Sequence, residues 1–267
     1  MKLVVISPEG DDPRETAVLG ALLAAGLERY HVRKPHWPAA QLETWLRTLP
    51  ADWCSRLVLH QHHELVAKFG LLGRHWRDDD SLCAQPSFRE AHASRPVVDD
   101  RRDADRSLRD AGAPLREALA NGVRNGVHQA MFTSRSCHDL ATLWAALGHC
   151  DSVFFGPVFP SISKPGYTTG LAAQMERGVP TRSLKNEDLN ASGRRVPPNE
   201  LSALLSSRTS NERRTTVLAL GGIMADRLPQ IRALGFDGVG VLGAVWQTAD
   251  PMAAFCKIQD AVYAHAA

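Results

Sequence analysis

The stretch Asp151-Ser-Val-Phe-Phe-Gly-Pro-Val-Phe-Pro-Ser-Ile-Ser-Lys-Pro-Gly-Tyr167 changes character at one point. Residues 152–155 form a short apolar run typical of a buried strand. Gly156 and Pro157 end the run, because glycine and proline punctuate strands. The loop that follows carries two hydroxyls and a cation, from Ser161, Ser163 and Lys164. A strand that leads into such a loop is typical of an α/β barrel, which builds its anion sites at the carboxyl ends of its strands.

Two later stretches share one pattern, a run of branched residues that ends in glycine. They are Thr216-Val-Leu-Ala-Leu-Gly-Gly-Ile223 and Asp237-Gly-Val-Gly-Val-Leu-Gly-Ala244. Glycine lets backbone N–H groups approach a phosphate closely, and a following helix adds its positive end. Barrels place a phosphate site after their seventh and eighth strands. The pair therefore predicts backbone donors for a phosphate group near the C-terminus.

The rest of the chain supplies six further strand patterns, with helical patterns between most of them. The eight predicted strands are 3–7, 30–35, 56–63, 73–76, 130–134, 152–155, 216–223 and 237–244. Alternation of strand and helix predicts parallel β/α units. We therefore predict a single (β/α)₈ barrel over residues 1–267, with surface insertions at about 81–127, rich in Arg and Asp, and at about 168–198.

Length, charge balance, apolar runs and cysteine content limit the classes of protein to which the chain can belong. The 267 residues suffice for one barrel of about 250 residues with insertions. The 31 basic residues are offset by 29 acidic ones, which gives no basis for a nucleic-acid partner. No apolar run approaches the length of a membrane span, and the short apolar start predicts a strand rather than a signal segment. Five scattered cysteines indicate reduced thiols, and we expect a cytoplasmic protein.

Polar side chains follow several predicted strands. Arg33 and Lys34 follow the second strand, with His31 near its end, and Ser134 and Ser136 follow the fifth. All strand ends of a barrel meet at one rim, so we expect these groups to face the backbone donors. Positive charge opposite a phosphate pocket indicates a second phosphate or a polyphosphate leaving group, because cations stabilise charge on departing oxygens.

The loop after the sixth strand resembles the Gly-Pro-Ile-Phe-Pro-Thr-x-Thr-Lys-Pro loop of thiamine phosphate synthases and the related thiazole tautomerases, with serines replacing threonines. Residues 219–223, Ala-Leu-Gly-Gly-Ile, are similar to the family's Ala-Ile-Gly-Gly-Ile, and residues 241–244 to its Val-Ile-Ser-Ala. The similarity is dense over 130–170 and 215–251 and thinner over 1–80. It implies an enzyme of thiamine biosynthesis that joins hydroxymethylpyrimidine diphosphate to thiazole phosphate and releases diphosphate.

The resemblance also implies roles for individual residues. Arg33, Lys34 and Lys164 are expected to hold the diphosphate. The thiazole phosphate is expected to bind to the backbone of Gly221, Gly222, Gly243 and Ala244. The side chains expected to line the substrate site are His31, His60, Ser136, Ser161 and Ser163. The partners implied are small phosphorylated pyrimidine and thiazole substrates, and a homo-oligomer is possible.

The sequence departs from the family at its implied magnesium site. The synthases carry Asn-Asp after the third strand, where this chain has His60-Gln61. The resemblance implies a second magnesium aspartate after the fourth strand, for which Asp80 is the nearest equivalent, with Asp78 and Asp79 beside it. Mg²⁺ prefers carboxylate and water oxygens to imidazole. The chain therefore lacks one of the two magnesium carboxylates that the resemblance implies.

The sequence is also consistent with three functions other than a synthase. The tautomerases share the Ser-x-His after the fifth strand, here Ser136-Cys137-His138, and the resemblance implies proton transfer by His138, a residue type suited to it. The group His60, His62, His63 and His75 suggests a zinc hydrolase, in which alternating histidines share one ion. A barrel that only binds a phosphorylated ligand is the third alternative.

Overall fold

The computed structural model describes residues 1–78, 131–162 and 198–264. The predicted insertions at about 81–127 and 168–198 lie almost wholly outside these ranges, and so do Asp80, Ser163 and Lys164. Predictions that concern those residues remain predictions.

Eight strands pair in chain order and close into a barrel, and every pairing is parallel. The last strand pairs with the first through Lys2 opposite Gly238 and Val5 opposite Val241. The predicted (β/α)₈ barrel is thereby confirmed. The strands are β1 (Lys2–Ile6), β2 (Tyr30–Val32), β3 (Leu57–Leu59), β4 (Gly73–Trp76), β5 (Phe132–Cys137), β6 (Ser152–Phe155), β7 (Thr216–Leu220) and β8 (Gly238–Val241).

Helices occupy most of the described connections between strands. They are α1 (Glu15–Ala24), α2 (Ala39–Arg47), α3 (Glu64–Phe69), α4 (Leu140–Ala146), α5 (Pro198–Ser207), α6 (Leu228–Ala233), α7 (Gly243–Trp246) and α8 (Pro251–Tyr263). Two of them start with a side-chain cap: Asp139 accepts from the Thr142 amide before α4, and Asp250 accepts from the Ala253 amide before α8. Among the described residues, no helix is both long and apolar enough to cross a membrane.

The fifth strand extends further than predicted. Its pairing with β6 runs from Ser134 opposite Ser152 to Cys137 opposite Phe155. Ser134 and Ser136 therefore lie within the strand, two residues apart, instead of at its end and in the loop. Period-two alternation places both side chains on the same face of the sheet. The predicted boundary was wrong because serine weakens a strand pattern unless its hydroxyl finds a partner inside the barrel.

The barrel interior has an apolar half. Val4, Ile6, Phe154 and Leu218 form one buried cluster, and Leu220 and Leu242 pack against it. These residues come from β1, β6, β7 and β8 or directly follow them. Gly240 makes room for Phe154, because a Cβ there would lie 2.6 Å from the ring carbon Cε1. The opposite half, built by β2 to β5, is polar and forms part of the candidate site.

Lys34 lies in a buried ion pair behind β2. Its ammonium group pairs with the Glu15 carboxylate and donates to the Gly10 carbonyl at 2.9 Å. The Tyr30 hydroxyl donates to Glu15 Oε1, also at 2.9 Å. Burial raises the pKa of the Glu15 carboxyl, although the hydrogen bonds from Lys34 and Tyr30 oppose that shift. The pair joins α1 to the end of β2, which indicates a structural role for Lys34.

The ion pair predicts a large effect of Lys34 on stability. The substitution Lys34→Met leaves the buried Glu15 carboxylate without its counter-ion. We therefore expect the free energy of unfolding to fall by about 3–5 kcal/mol. The double variant Lys34→Met/Glu15→Leu should recover part of that loss. Lys68→Met is the matched control, because its ion pair with Glu43 is exposed and contributes little to stability. Urea unfolding measures all three, and equal losses in Lys34→Met and Lys68→Met would contradict the assignment.

Candidate active site

A cavity of about 730 Å³ lies at the carboxyl ends of the strands. Its lining comes from residues in or shortly after all eight strands. Backbone dominates the wall formed after β7 and β8, and charged side chains dominate the wall formed after β1, β2 and β4. Size and position fit a small-molecule site, since ligand cavities typically measure about 300–1,000 Å³ and barrels bind at this rim.

Two consecutive glycines form the cavity wall after β7. Gly221 and Gly222 have φ values of 92° and 62°, in the left-handed region that favours glycine. A Cβ at Gly221 would overlap Pro157, and one at Gly222 would lie 2.6 Å from the Phe159 Cβ. The Gly222 carbonyl accepts a hydrogen bond from Arg227 Nη1 at 3.0 Å. The chain therefore needs glycine at both positions to turn its bare backbone along the cavity.

The wall after β8 consists of the first turn of α7. Gly243 and Ala244 both line the cavity, and amide N–H groups in the first turn of a helix have no partner within that helix. Together with Gly221 and Gly222, this turn brings the predicted backbone positions of both strands to one cavity. Such a surface suits an anion, because amide groups approach it without intervening side chains.

Cationic side chains lie on the wall after β2 and β4. Arg33 lines the cavity and forms an ion pair with Glu9, which follows β1 and lines it too. Arg77, directly after β4, is a second lining cation. Lys34 is absent from this wall because its side chain lies in the ion pair with Glu15. The structure thus places the adjacent residues Arg33 and Lys34 in different environments, and Arg77 provides the second described cation at the cavity.

Three histidines from consecutive strands meet at the polar side of the barrel interior. His31 Nδ1 lies 3.1 Å from His60 Nε2. The rings of His60 and His75 stack, with centroids 4.0 Å apart and planes 21° apart. His75 Nδ1 and Nε2 each lie 2.8 Å from a serine hydroxyl, those of Ser134 and Ser136. The His31 ring also contacts Phe154 edge to face, at 4.8 Å between centroids.

Burial keeps this histidine cluster, His31, His60 and His75, uncharged. Loss of solvent lowers the pKa of His31 and of His60 well below the ordinary value, and the positive charge of neighbouring histidines adds to the effect. The same causes lower the pKa of His75 to about 3. The polar half of the barrel interior is therefore neutral at physiological pH, and its hydrogen bonds are those of neutral imidazole.

His138 and Asp78 lie at the cavity after β5 and β4. His138 Nδ1 is 2.6 Å from the Gly156 carbonyl, so Nδ1 carries the proton and Nε2 is an acceptor when the ring is neutral. Burial raises the pKa of the Asp78 carboxyl. Its Oδ1 atom is buried and has no hydrogen-bond partner among the described residues. The pair thus offers the cavity one potential base and one underused carboxylate oxygen.

The structure brings most of the predicted site residues to this cavity. Those that line it are Arg33, His60, Ser136, His138, Ser161, Gly221, Gly222, Gly243 and Ala244. His31 is buried behind His60 and lies outside the cavity lining. Ser163, Lys164 and Asp80 lie outside the described residues, so their predicted roles stay predictions.

Several lining residues did not figure as site residues in the sequence prediction. Glu9 and Arg77 lie within three residues of a strand end, so strand-end position was a usable signal for them. Asp78 figured there only as an alternative to Asp80 at the implied magnesium site. His75 figured only in the zinc hydrolase alternative, which paired His60 with His62. His62 Nε2 instead bonds the Trp37 carbonyl at 2.9 Å, and His63 Nε2 bonds the His75 carbonyl at 3.1 Å. The histidines that do meet lie in or directly after β2, β3 and β4, so the pairing of these neighbouring strands brings them together.

Comparison with known proteins finds similarity in fold. No family model matches the chain, and no curated protein matches its sequence. A thiamine phosphate pyrophosphorylase from Bacteroides thetaiotaomicron aligns over 99% of both chains, with a TM-score of 0.59 and 22% identity. One from Pyrococcus furiosus aligns over 98% of this chain and 96% of its own, with a TM-score of 0.60 and 16% identity.

A third solved structure belongs to a different enzyme. The 3-hexulose-6-phosphate synthase from Salmonella typhimurium aligns over 99% of this chain and 100% of its own, with a TM-score of 0.50 and 13% identity. At these identities the three similarities establish the barrel fold and leave the reaction to be argued from the site.

The histidine cluster predicts a pH dependence of stability. Its folded-state pKa values lie below the ordinary value of about 6.5, so protons bind the unfolded chain first as pH falls. Unfolding free energy should therefore decrease below about pH 6.5, by up to roughly 1.4 kcal/mol per pH unit for each histidine. We would measure the free energy of unfolding by urea between pH 7.5 and 5.5 with chelator present. In His75→Gln this free energy should change less steeply with pH than in the parent chain. A slope equal to that of the parent chain would contradict the assignment.

Proposed function

We propose that the protein is a thiamine phosphate synthase, which joins hydroxymethylpyrimidine diphosphate to thiazole phosphate. One observation carries the proposal: a backbone wall suited to one phosphate and an arginine-bearing wall line the same cavity. The loop, Gly-Gly and strand-eight motifs support it independently, since they resemble those of the synthases. The fold similarity to two thiamine phosphate pyrophosphorylases is consistent with it.

The two walls suit the two substrates differently. A monoester phosphate fits the backbone of Gly221, Gly222, Gly243 and Ala244, where amide donors suit a compact anion. A diphosphate carries more charge and suits guanidinium groups, which bind phosphate oxygens in pairs. We assign Arg33 and Arg77 to it, with Lys164 as the family resemblance implies. Arg77 replaces Lys34 in this role, because the Lys34 side chain is held in the buried ion pair with Glu15.

The proposed reaction is a substitution at the methylene carbon of the pyrimidine. The bond between that carbon and the diphosphate oxygen breaks, and its electron pair leaves with diphosphate. The lone pair of the thiazole nitrogen then forms the new carbon–nitrogen bond, so no proton needs to be transferred. Arg33 and Arg77 stabilise the charge that develops on the departing oxygens. The imidazoles of the histidine cluster are themselves neutral and add no charge of their own to the cavity.

The residues present suit Mg²⁺ at one position. Mg²⁺ is usually bound through one or two carboxylates together with substrate phosphates and water. Asp78 offers a carboxylate oxygen that lacks a partner among the described residues, whereas His60 offers a nitrogen ligand, which Mg²⁺ accepts poorly. We assign Asp78 as the described ligand. A bound Mg²⁺ would neutralise charge on the diphosphate.

The geometry of His138 favours thiazole tautomerase activity as a second candidate. Its Nδ1–H donates to the Gly156 carbonyl, and the ring lines the cavity, so Nε2 can accept a proton from a bound ligand. In that reaction His138 would move a proton on a thiazole carboxylate phosphate. The phosphate would bind to the same backbone groups, those of Gly221, Gly222, Gly243 and Ala244. Arg33 and Arg77 would then contact the carboxylate.

Product analysis separates the two candidates. With pyrimidine diphosphate, thiazole phosphate and Mg²⁺, we expect thiamine phosphate and diphosphate in equal amounts. The variant His138→Gln should leave this rate within about threefold, whereas it should slow a tautomerase about 10²- to 10⁴-fold. Isomerisation of the thiazole carboxylate phosphate without condensation would favour the second candidate. Binding of the phosphorylated ligands with no product in either assay would overturn both.

A matched pair of glycine variants tests the phosphate assignment. Gly222→Ala and Gly235→Ala both place alanine at a positive φ, 62° and 89° respectively, which should cost each about 1–2 kcal/mol of stability. Gly222→Ala should cost more, because its Cβ would lie 2.6 Å from the Phe159 Cβ, whereas the nearest atom to a Cβ at Gly235 is 3.4 Å away. Of these two glycines, Gly222 lines the cavity and Gly235 does not. We expect calorimetry to show thiazole phosphate affinity reduced about 10- to 100-fold in Gly222→Ala, since a hydrogen bond to a charged group is worth about 1.5–3 kcal/mol. Equal affinities in the two variants would contradict the assignment.

A further inference from the structure

The histidine cluster has the composition of a metal site. His31, His60 and His75 each offer one ring nitrogen, and these three atoms lie within 4.8 Å of one another. Each residue comes from the end of a different strand, so their backbones are fixed by the barrel and not by a loop. Imidazole ligands without a carboxylate suit borderline ions such as Zn²⁺, Co²⁺ or Ni²⁺ and do not suit Mg²⁺.

The separation of the first two ligands is close to that in a zinc site. Two nitrogens bound at about 2.0–2.1 Å in tetrahedral geometry lie roughly 3.3–3.4 Å apart. His31 Nδ1 and His60 Nε2 are 3.1 Å apart and share one proton. When an ion binds between them, the shared proton moves to the other nitrogen of its own ring. The two rings then need only a small tilt, since each lone pair must turn from the neighbouring nitrogen towards the ion.

The third ligand needs a change of partner. His75 stacks on His60, and Ser134 and Ser136 occupy its two nitrogens. Ser136 lines the cavity and can bond water there, so Nε2 can exchange it for an ion. The bond between Nδ1 and Ser134 can persist in the buried interior. Histidine ligands generally keep such a second partner on the other nitrogen, which fixes the orientation of the ring.

The protonation state of the three rings already suits metal binding. All three rings are uncharged at neutral pH, so binding displaces no charge-bearing proton from them. His31 Nε2 is buried and has no hydrogen-bond partner among the described residues. With Nδ1 as the ligand atom, Nε2 carries the proton of the neutral His31 ring, so the ion is bound by three neutral imidazoles.

We propose that His31, His60 and His75 bind one borderline divalent cation, with Zn²⁺ as the test ion, at the floor of the cavity. His60 and His75 line the cavity, so the fourth coordination position faces it and is open to water or to a ligand. Three protein ligands with one open position are typical of catalytic zinc sites. The site is separate from Asp78, whose oxygen suits a hard cation, and it does not depend on the proposed synthase reaction.

Zinc titration of the full-length, chelator-treated protein tests the site. Calorimetry should show one equivalent of Zn²⁺, and Co²⁺ should give the visible absorption of a four-coordinate ion. Affinity should fall more than about 100-fold in His60→Gln and His75→Gln, because even changes to outer partners cost about 10- to 100-fold. His62→Gln and Asp78→Asn are the controls and should retain the parent affinity.

X-ray absorption of the zinc-loaded parent chain gives a readout that does not depend on whether the variants fold. It should show three imidazole nitrogens at about 2.0–2.1 Å. Fewer than three imidazoles in that shell would overturn the proposal. So would equal affinity in His60→Gln and His62→Gln, which would assign the ion to other histidines among the eleven of the chain. Neither measurement uses turnover, so failure here is distinguishable from failure of the synthase proposal.

Discussion

Hydrogen bonding between β1 and β8 is the constraint on which the rest of the structure depends. The four residue pairs from Lys2 opposite Gly238 to Val5 opposite Val241 close the sheet. Gly238 allows this approach, because a Cβ there would lie 2.5 Å from the Lys2 carbonyl oxygen. Closure brings the ends of all strands to one rim, so that Glu9 and Arg33 share a cavity with Gly222 and Gly243.

The closed barrel divides its interior between two kinds of chemistry. One half is an apolar cluster around Phe154, and the other half holds the histidine cluster with Ser134 and Ser136. Phe154 touches His31 and His75 edge to face, at 4.8 and 5.3 Å between ring centroids. Because the imidazoles are neutral, the polar half does not place uncompensated charge in the low-dielectric interior. The charges of the site lie instead at the rim, on Arg33, Arg77, Glu9 and Asp78.

Arg33 and Lys34 show how strand geometry assigns function to neighbouring residues. Successive side chains at a strand end point to opposite sides of the sheet. Arg33 therefore reaches the cavity, and Lys34 reaches the layer of helices, where Glu15 neutralises it. The two cations look equivalent in the sequence, yet one lies at the cavity beside Glu9 and the other stabilises the contact between α1 and β2.

The sequence by itself determined the barrel, the order of its eight strands and the positions of Gly221, Gly222 and Gly243, because alternating strand and helix patterns and runs of branched residues that end in glycine are local signals. It also placed Arg33, Ser136, Ser161 and His138 at the rim, since strand-end position follows from the same pattern. Only the tertiary structure decided that Lys34 is buried in an ion pair, that β5 continues through Ser136, and that His31, His60 and His75 meet. Each of these depends on partners distant in the chain, and contact between them is fixed by the pairing of neighbouring strands and the packing of α1 on the sheet, not by spacing along the sequence.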